Sequence, residues 1–215
     1  MIKFSINKSF FLQALNATKR AISTKNALPI LSTIKIEVQN NNITLTGSNG
    51  QISIENTIPT TNENAGLLIT SPGAVLLEAN FFINIVSSLP DVTLDFEEIE
   101  SHQIVLTSGK SEITLKGKDV DLYPRLQEMA TENPLVIETK LLKSIITETA
   151  FAASLQESRP ILTGVHMVLS DHKDFKAVAT DSHRMSQRKL TLENTSNDFN
   201  VVVPSKSRRE FAAVF

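Results

Sequence analysis

Three short stretches of this sequence carry residue types that can do chemistry. Asp181-Ser182-His183 places an acid, a hydroxyl and an imidazole side by side, the ingredients of nucleophilic hydrolysis. Such triads are built by tertiary proximity, and consecutive residues of a hairpin point to different faces, so adjacency counts against one here. A carboxylate at the head of a turn commonly accepts bonds from nearby main-chain amides, and that is the role expected of Asp181. Ser108-Gly109-Lys110-Ser111 has the tail of a phosphate-cradling loop. The motif needs a glycine where Ile104 stands and a helix afterwards, yet Ser111 to Leu115 alternates like a strand. His166, His172 and His183 lack the spacing of a ligand pair on one helix face. With no cysteine in the chain, thiolate sites and disulfides are excluded. No metal and no cofactor is expected.

The elements that must position these residues come in two similar sets. Phe4 to Thr18 lies over Leu135 to Thr149 with apolar positions matched, and Leu28-Pro29-Ile30-Leu31 lies over Arg159-Pro160-Ile161-Leu162, an offset of 131 residues. Two extra residues then bring Thr46-Gly47-Ser48-Asn49 over Ala179-Thr180-Asp181-Ser182. Each unit reads as short strand, amphipathic helix, Pro-Ile-Leu, strand, tight turn, strand. A repeat of this length is a duplicated domain, because solenoid units run at roughly 20–50 residues. The expected domains are 1–127 and 128–215, the second incomplete at its C-terminus.

In the first unit, Phe11, Leu12, Leu15 and Ile22 have helical spacing after an Asn7 N-cap. Ile34, Ile36 and Val38 alternate as a strand, Asn40-Asn41-Asn42 turns the chain into Ile43 to Thr46, and Ser48-Asn49-Gly50 is a hairpin signal. Strands are expected at Ile52 to Ile58 and Leu67 to Thr70, then a helix through Phe81, Phe82, Ile85, Val86 and Leu89 that Pro90 stops. Val92 to Phe96, Ile104 to Thr107 and Ile113 to Leu115 supply three more strands. Lys118 to Pro134 reads as a polar linker. The second unit offers a helix at Thr139 to Ala152, strands near Val165 to Leu169, Phe175 to Thr180 and Met185 to Leu190, and a further helix opening at Val201 to Pro204. Two helices against mostly antiparallel sheet in each unit is an α+β architecture.

At 215 residues, 41% hydrophobic and 20% charged, the chain is ordinary for a globular protein and too apolar for disorder. No run approaches the ~20 apolar residues of a membrane span, and Met1-Ile2-Lys3-Phe4 enters a strand without signal-peptide character, so a cytoplasmic location is expected. A net charge of −2 gives no overall basic footprint. The charges are segregated, however: Lys8, Lys19, Arg20 and Lys25 accompany the first helix, whereas acids gather in Asp95-Phe96-Glu97-Glu98-Ile99-Glu100.

The segment Ala177-Val178-Ala179-Thr180-Asp181-Ser182-His183-Arg184-Met185 resembles the signature of bacterial replicative sliding clamps, the beta subunit of DNA polymerase III. Leu28-Pro29-Ile30-Leu31, Ser88-Leu89-Pro90, Asp121-Leu122-Tyr123-Pro124, Arg159-Pro160-Ile161-Leu162-Thr163-Gly164 and Val203-Pro204 follow in that family's order over the whole chain. The resemblance implies duplicated clamp domains and no catalytic site. It implies a ring formed head to tail by two full-length chains around duplex DNA, with a helical inner wall making sequence-independent phosphate contacts. It places DNA contacts at Lys25, Gln156 and Lys206. Asn80, where a basic residue is common, and Pro160-Ile161, where some members have aromatics, are departures. It implies a pocket for linear motifs of the Gln-x-x-Leu-Phe kind from the polymerase alpha subunit, the clamp loader and repair proteins, formed by Arg159, Leu162, Thr180, Ser182, His183, Arg184 and Met185. Leu162 and Met185 would give an adaptable apolar floor. The ring contact falls on Phe82, Ile85, Leu89, Lys110, Ile113 and Leu115.

Two expectations concern the end of the sequence. Aligning Asn84 with Glu210 sets Arg208 on Phe82, and an unpaired buried arginine costs several kcal/mol. A domain that stops at Phe215 would leave an open sheet edge, and no ring would close from this chain alone. The competing reading is a small hydrolase or nucleotide-binding enzyme using Asp181, Ser182 and His183.

Overall fold

The computed structural model describes residues 1–22, 28–50, 52–90, 93–100, 102–125, 137–156, 158–192 and 197–205. The chain divides into two units, Met1–Gln127 and Glu128–Phe215.

In the first unit, strand β1 (Lys3–Asn7) buries Phe4 and Ile6 and exposes Lys3 and Asn7. Asn7 ends the strand and starts a helix, because its Oδ1 accepts the Phe10 amide at 3.1 Å. Helix α1 (Lys8–Lys19) buries Phe11, Ala14, Leu15 and Thr18 on one stripe. A 3-10 turn at Pro29–Ser32 leads into β2 (Thr33–Val38), β3 (Asn42–Ser48) and β4 (Ser53–Pro59). Strands β5 (Leu68–Ser71) and β6 (Gly73–Glu78) precede α2 (Ala79–Ser88), whose N-terminus is capped by the Glu78 carboxylate. The unit continues with β7 (Thr93–Glu100), β8 (Gln103–Ser108) and β9 (Ser111–Lys116). Two antiparallel sheets result, ordered β5-β1-β7-β8-β9 and β4-β3-β2-β6. One core joins both sheets and both helices. At its centre Phe4 stacks on Phe96 at 4.7 Å, while Phe11 meets Phe4 and Phe82 meets Phe96 edge-on.

Strand β6 has no counterpart among the sequence expectations. Its Gly-Ala-Val-Leu-Leu-Glu does not alternate, because Val75, Leu76 and Leu77 are all buried. A strand covered on both faces loses the period-2 signal, and what covers Leu76 is part of the segment read as a linker. Tyr123, beyond a 3-10 turn at Val120–Leu122, clusters with Leu31 and Leu76. Lys8 is likewise no surface cation: it is buried, and its Nζ lies 3.4 Å from the Ser87 carbonyl at the C-terminal end of α2, where the helix dipole favours positive charge.

In the second unit, α3 (Thr139–Thr149) and a 3-10 turn at Ala150–Ala152 are followed by a second such turn at Pro160–Thr163. Strands β10 (Gly164–Ser170), β11 (Asp174–Thr180), β12 (Met185–Thr191) and β13 (Phe199–Pro204) form one antiparallel sheet in the order β12-β11-β10-β13. Val201 to Pro204, expected from sequence to open a helix, are instead the end of β13, paired with β10, because a run of β-branched valines suits a pleated strand; Arg208 lies outside the described residues. No helix among the described residues is long and apolar enough to cross a membrane.

The duplication extends to individual hydrogen bonds. Thr18 and Thr149, both fully buried, return their hydroxyls to the carbonyls of Ala14 (2.9 Å) and Ile145 (2.7 Å). Ser32 and Thr163 do the same to Pro29 and Pro160, each at 2.7 Å. The register in the hairpins corrects the sequence alignment by one residue. Val38 pairs with Ile43 as Leu169 pairs with Phe175, and Ser48 closes on Ser53 as Thr180 closes on Met185. Ser48 therefore matches Thr180, where the sequence had set it against Asp181. One residue is added, not two, in the β10–β11 turn, where Asp171 and His172 both take positive φ (52° and 59°) and the Asp198 carboxylate accepts both their amides.

Candidate functional site

Strands β11 and β12 are joined by the four-residue turn 181–184, and Asp181 organises it. Its Oδ1 accepts the amides of His183 (3.0 Å) and Arg184 (2.9 Å), and its Oδ2 accepts Arg184 Nε at 2.9 Å. Bonds from the two amides, then the Arg184 charge, hold its pKa below 3.8. This is the turn-forming role expected from sequence. Thr180 completes the turn by donating its hydroxyl to the Arg184 carbonyl at 2.8 Å and accepting the Ser182 amide at 3.2 Å.

Both oxygens of Asp181 are committed to the turn, so it is not aligned to orient an imidazole as a triad acid does. Among the described residues there is no cluster of three metal-ligating side chains. Ser108 to Ser111 is a strand-to-strand turn with Gly109 at φ 60° and β9 after it, which excludes a helix-opening phosphate loop.

Ser182 sits at φ 77°, left-handed backbone that a side chain disfavours. Ser182→Gly is expected to keep or raise the stability of this unit, and Ser182→Val to lower it by about 1–2 kcal/mol. Urea titrations of the two variants check the sign, and equal midpoints would contradict it.

The hairpin meets a second wall. Arg184 Cζ lies 5.9 Å from the centroid of the Phe151 ring, and the Ser154 amide donates to the Leu162 carbonyl at 2.9 Å. The 151–154 segment thus links the turn to the Pro160–Thr163 stretch that carries Leu162. Met185 is 67% exposed, Leu162 is half-buried, and Arg159, Ser182, His183 and Arg184 are exposed. Sequence reasoning missed Phe151 and Leu155 (95% exposed), and Ile161, named from sequence only as a departure, is 72% exposed. Their signal was available in Phe151 and Leu155, which break the polar surface expected after an amphipathic helix. Gln156 is exposed, with its amide bonded to Ser154 Oγ at 3.1 Å. Lys25 and Lys206 lie outside the described residues.

The residues assigned to a ring contact divide by burial. The side chains of Phe82, Leu89 and Leu115 belong to the core of unit 1, although β9, which carries Leu115, is an edge strand of its sheet. Ile85 and Ile113 are partly buried against that core, and Lys110 is exposed in the β8–β9 turn. Helical spacing identified the apolar stripe of α2 but not its direction. Phe81, one residue before Phe82, is the aromatic that faces out, at 60% exposure.

Carboxylates are absent from α1 and α2, and the one on α3, Glu148, is held by Arg188 at 2.9 Å and Ser144 at 2.7 Å. The exposed positions of α1 and α2 include Ser9, Gln13, Asn16 and Asn84, and Asn80 is half-buried. A polyanion can approach such faces without like-charge repulsion.

Comparison with known proteins gives a consistent result. Residues 2–127 match the family model of the DNA polymerase III beta subunit, N-terminal domain, and residues 136–215 match that of its central domain. The beta sliding clamp of Streptococcus pneumoniae serotype 4 is 75% identical over 215 residues, which is 100% of this chain and 57% of that protein. The crystal structure of the beta subunit from Streptococcus pyogenes DNA polymerase superposes with a TM-score of 0.95 at 78% identity, covering 100% of this chain and 56% of that one. The Bacillus subtilis sliding clamp gives 0.93 at 37% identity, covering 99% and 56%. The chain therefore spans a little over half the length of these relatives.

Proposed function

Because the chain belongs to the DNA polymerase III beta subunit family, we propose that it supplies two units of a processivity factor that surrounds duplex DNA and tethers a polymerase and other replication proteins through the β11–β12 pocket. The observation that supports this reading is the turn that Asp181 braces through three hydrogen bonds, with exposed Met185 following it and half-buried Leu162 on the stretch that bonds to Ser154. A thioether and an aliphatic chain accommodate apolar anchors of varied shape, while the turn's exposed groups fix a peptide main chain. Lys25, Gln156 and Lys206 are the proposed phosphate contacts. The surface around Lys110, Ile113 and Ile85 is the proposed contact with a second full-length chain. The protein acts as an accessory subunit without a catalytic site of its own.

The test is a titration of a fluorescent Gln-x-x-Leu-Phe peptide into the chain, read by anisotropy. Saturable binding is expected, with Met185→Asp weakening it by about thirtyfold or more, as for a central apolar anchor. No binding by the wild type would overturn the docking role. Turnover of an ester or nucleotide substrate that Ser182→Ala abolishes would favour the hydrolase instead.

A further inference from the structure

Beside the pocket turn, helix and sheet of unit 2 are joined by polar groups. On β12 the residues Ser186, Arg188 and Leu190 are the less exposed alternate set, with Met185, Gln187 and Lys189 exposed, and α3 lies against this strand. Two bonds cross from the strand to the last turn of α3, and both end on Glu148. Ser186 donates its hydroxyl to the Glu148 carbonyl, one of the acceptors that a helix leaves open at its C-terminal end. Arg188 Nη1 reaches the Glu148 carboxylate at 2.9 Å. Ser144, one turn earlier on the same helix, donates to the other carboxylate oxygen at 2.7 Å. The carboxylate is thereby fixed from both sides, and the arginine has a defined target.

The repeat shows that the fold does not need this brace. The matched hydroxyl bonds of Thr18 and Thr149 set the helix offset at 131 (149 − 18), so Glu148 stands where unit 1 has Ala17. The strand closures at Ser53 and Met185 set the offset after the turn at 132 (185 − 53), so Ser186 stands over Ile54 and Arg188 over Asn56. Ala17 has no carboxylate and Ile54 no hydroxyl, yet α1 packs against β4 all the same. Nor does the brace add much stability. The two side chains of the ion pair are 43% and 45% exposed, where such pairs contribute little. Arg188 Nε is buried with no partner among the described residues, which carries a cost. What differs together with the brace is what it leads to. Phe151, three residues after Glu148, stands where unit 1 has Arg20, and Arg184, whose guanidinium lies over the Phe151 ring, stands where unit 1 has Ile52. Met185 immediately precedes Ser186.

We propose that Glu148, Ser186 and Arg188 are positioning residues for peptide docking: by pinning the end of α3 to β12, they hold Phe151, on the chain after the helix, in register with Met185 at the head of the strand. The brace sets the spacing between the two walls that grip the apolar anchors of one peptide. The proposal rests on the reading of the β11–β12 pocket given above.

The test measures the fluorescent Gln-x-x-Leu-Phe peptide on the full chain by anisotropy, with the thermal midpoint followed in parallel. Arg188→Met, which keeps the apolar stem, and Glu148→Ala should each weaken binding by about threefold or more, as coupling between neighbouring residues implies, with the midpoint little changed. Glu148→Gln keeps an oxygen for Arg188 and for Ser144 and should recover most of the affinity. In a Phe151→Ala background, Arg188→Met should cost less than about twofold, because the residue it positions is gone. Unchanged affinity in Arg188→Met and Glu148→Ala, or the same loss with and without Phe151, overturns the proposal. If Arg188→Met does not fold, Ser186→Ala takes its place with the same expectations. If the wild-type chain does not bind the peptide, the pocket reading fails and hydrogen exchange judges the brace: Arg188→Met should speed exchange of the 151–154 and 182–185 amides while α3 keeps its protection, and unchanged exchange there overturns it.

Discussion

Phe96→Ala is expected to remove about 3–5 kcal/mol from the stability of unit 1, the range for deleting a large buried aromatic. Phe96 is fully buried, stacked on Phe4 at 4.7 Å and edge-on to Phe82 at 6.3 Å. It therefore ties β7, β1 and α2 through one ring. Such contacts add to the transfer term, and the cavity left would be bounded by Phe4 and Phe82, which cannot collapse into it without leaving Phe11. Since whole domains are held by roughly 5–15 kcal/mol, the loss would be a large part of the total. Urea unfolding measures it, and a change below about 1 kcal/mol would show that the site relaxes in a way rigid packing does not allow.

Asp181→Ala is expected to weaken Gln-x-x-Leu-Phe peptide binding by about tenfold or more, through loss of turn order and not of a direct contact. Three bonds end on that carboxylate, two from amides that would then point into an unbraced loop. Asp181→Asn, which keeps one acceptor oxygen for the amides but not the charge, should recover most of the affinity. If the two variants lose equally, the carboxylate contacts the peptide itself. The pH dependence has a definite sign. The folded pKa lies below the unfolded value of 3.8, so the contribution is complete above 3.8 and is lost as pH falls through the lower folded value. The Asp181 contribution, taken as the difference between wild type and Asp181→Ala, should be flat from pH 8 to 5 and decline only in more acidic solution, measured by anisotropy at constant ionic strength.

Much of this was legible in the sequence because local chemistry determined it. Asn7 as a cap, Pro90 as a stop, Gly50 at a tight turn and Asp181 as a turn former are decisions taken within four residues, and each holds in three dimensions. The duplication was legible for the same reason, since Pro-Ile-Leu recurs with its turn. What was hidden depends on distant partners. The added residue at Asp171-His172 can be placed only by strand pairing, because polar turn residues offer no apolar marker for register. Strand β6 was passed over because Tyr123, more than forty positions away in sequence, covers its second face. The burial of Phe82, Leu89 and Leu115 was not legible either, because the likeness that pointed to α2 and β9 names elements, and which of their side chains turn inward depends on packing against distant partners.

The scarcity of charge on α1 and α2 bears on motion as well as on contact. A lysine holds a phosphate through a strong, counterion-releasing attraction, whereas each amide or hydroxyl, such as Gln13, Asn16 or Asn84, offers a neutral bond worth about 0.5–1.5 kcal/mol net. Weak bonds to identical, evenly spaced phosphates are exchanged one for the next at little cost. A surface of this kind set against a duplex would act as a low-friction bearing, with diffusion along the axis nearly free and little grip to resist it.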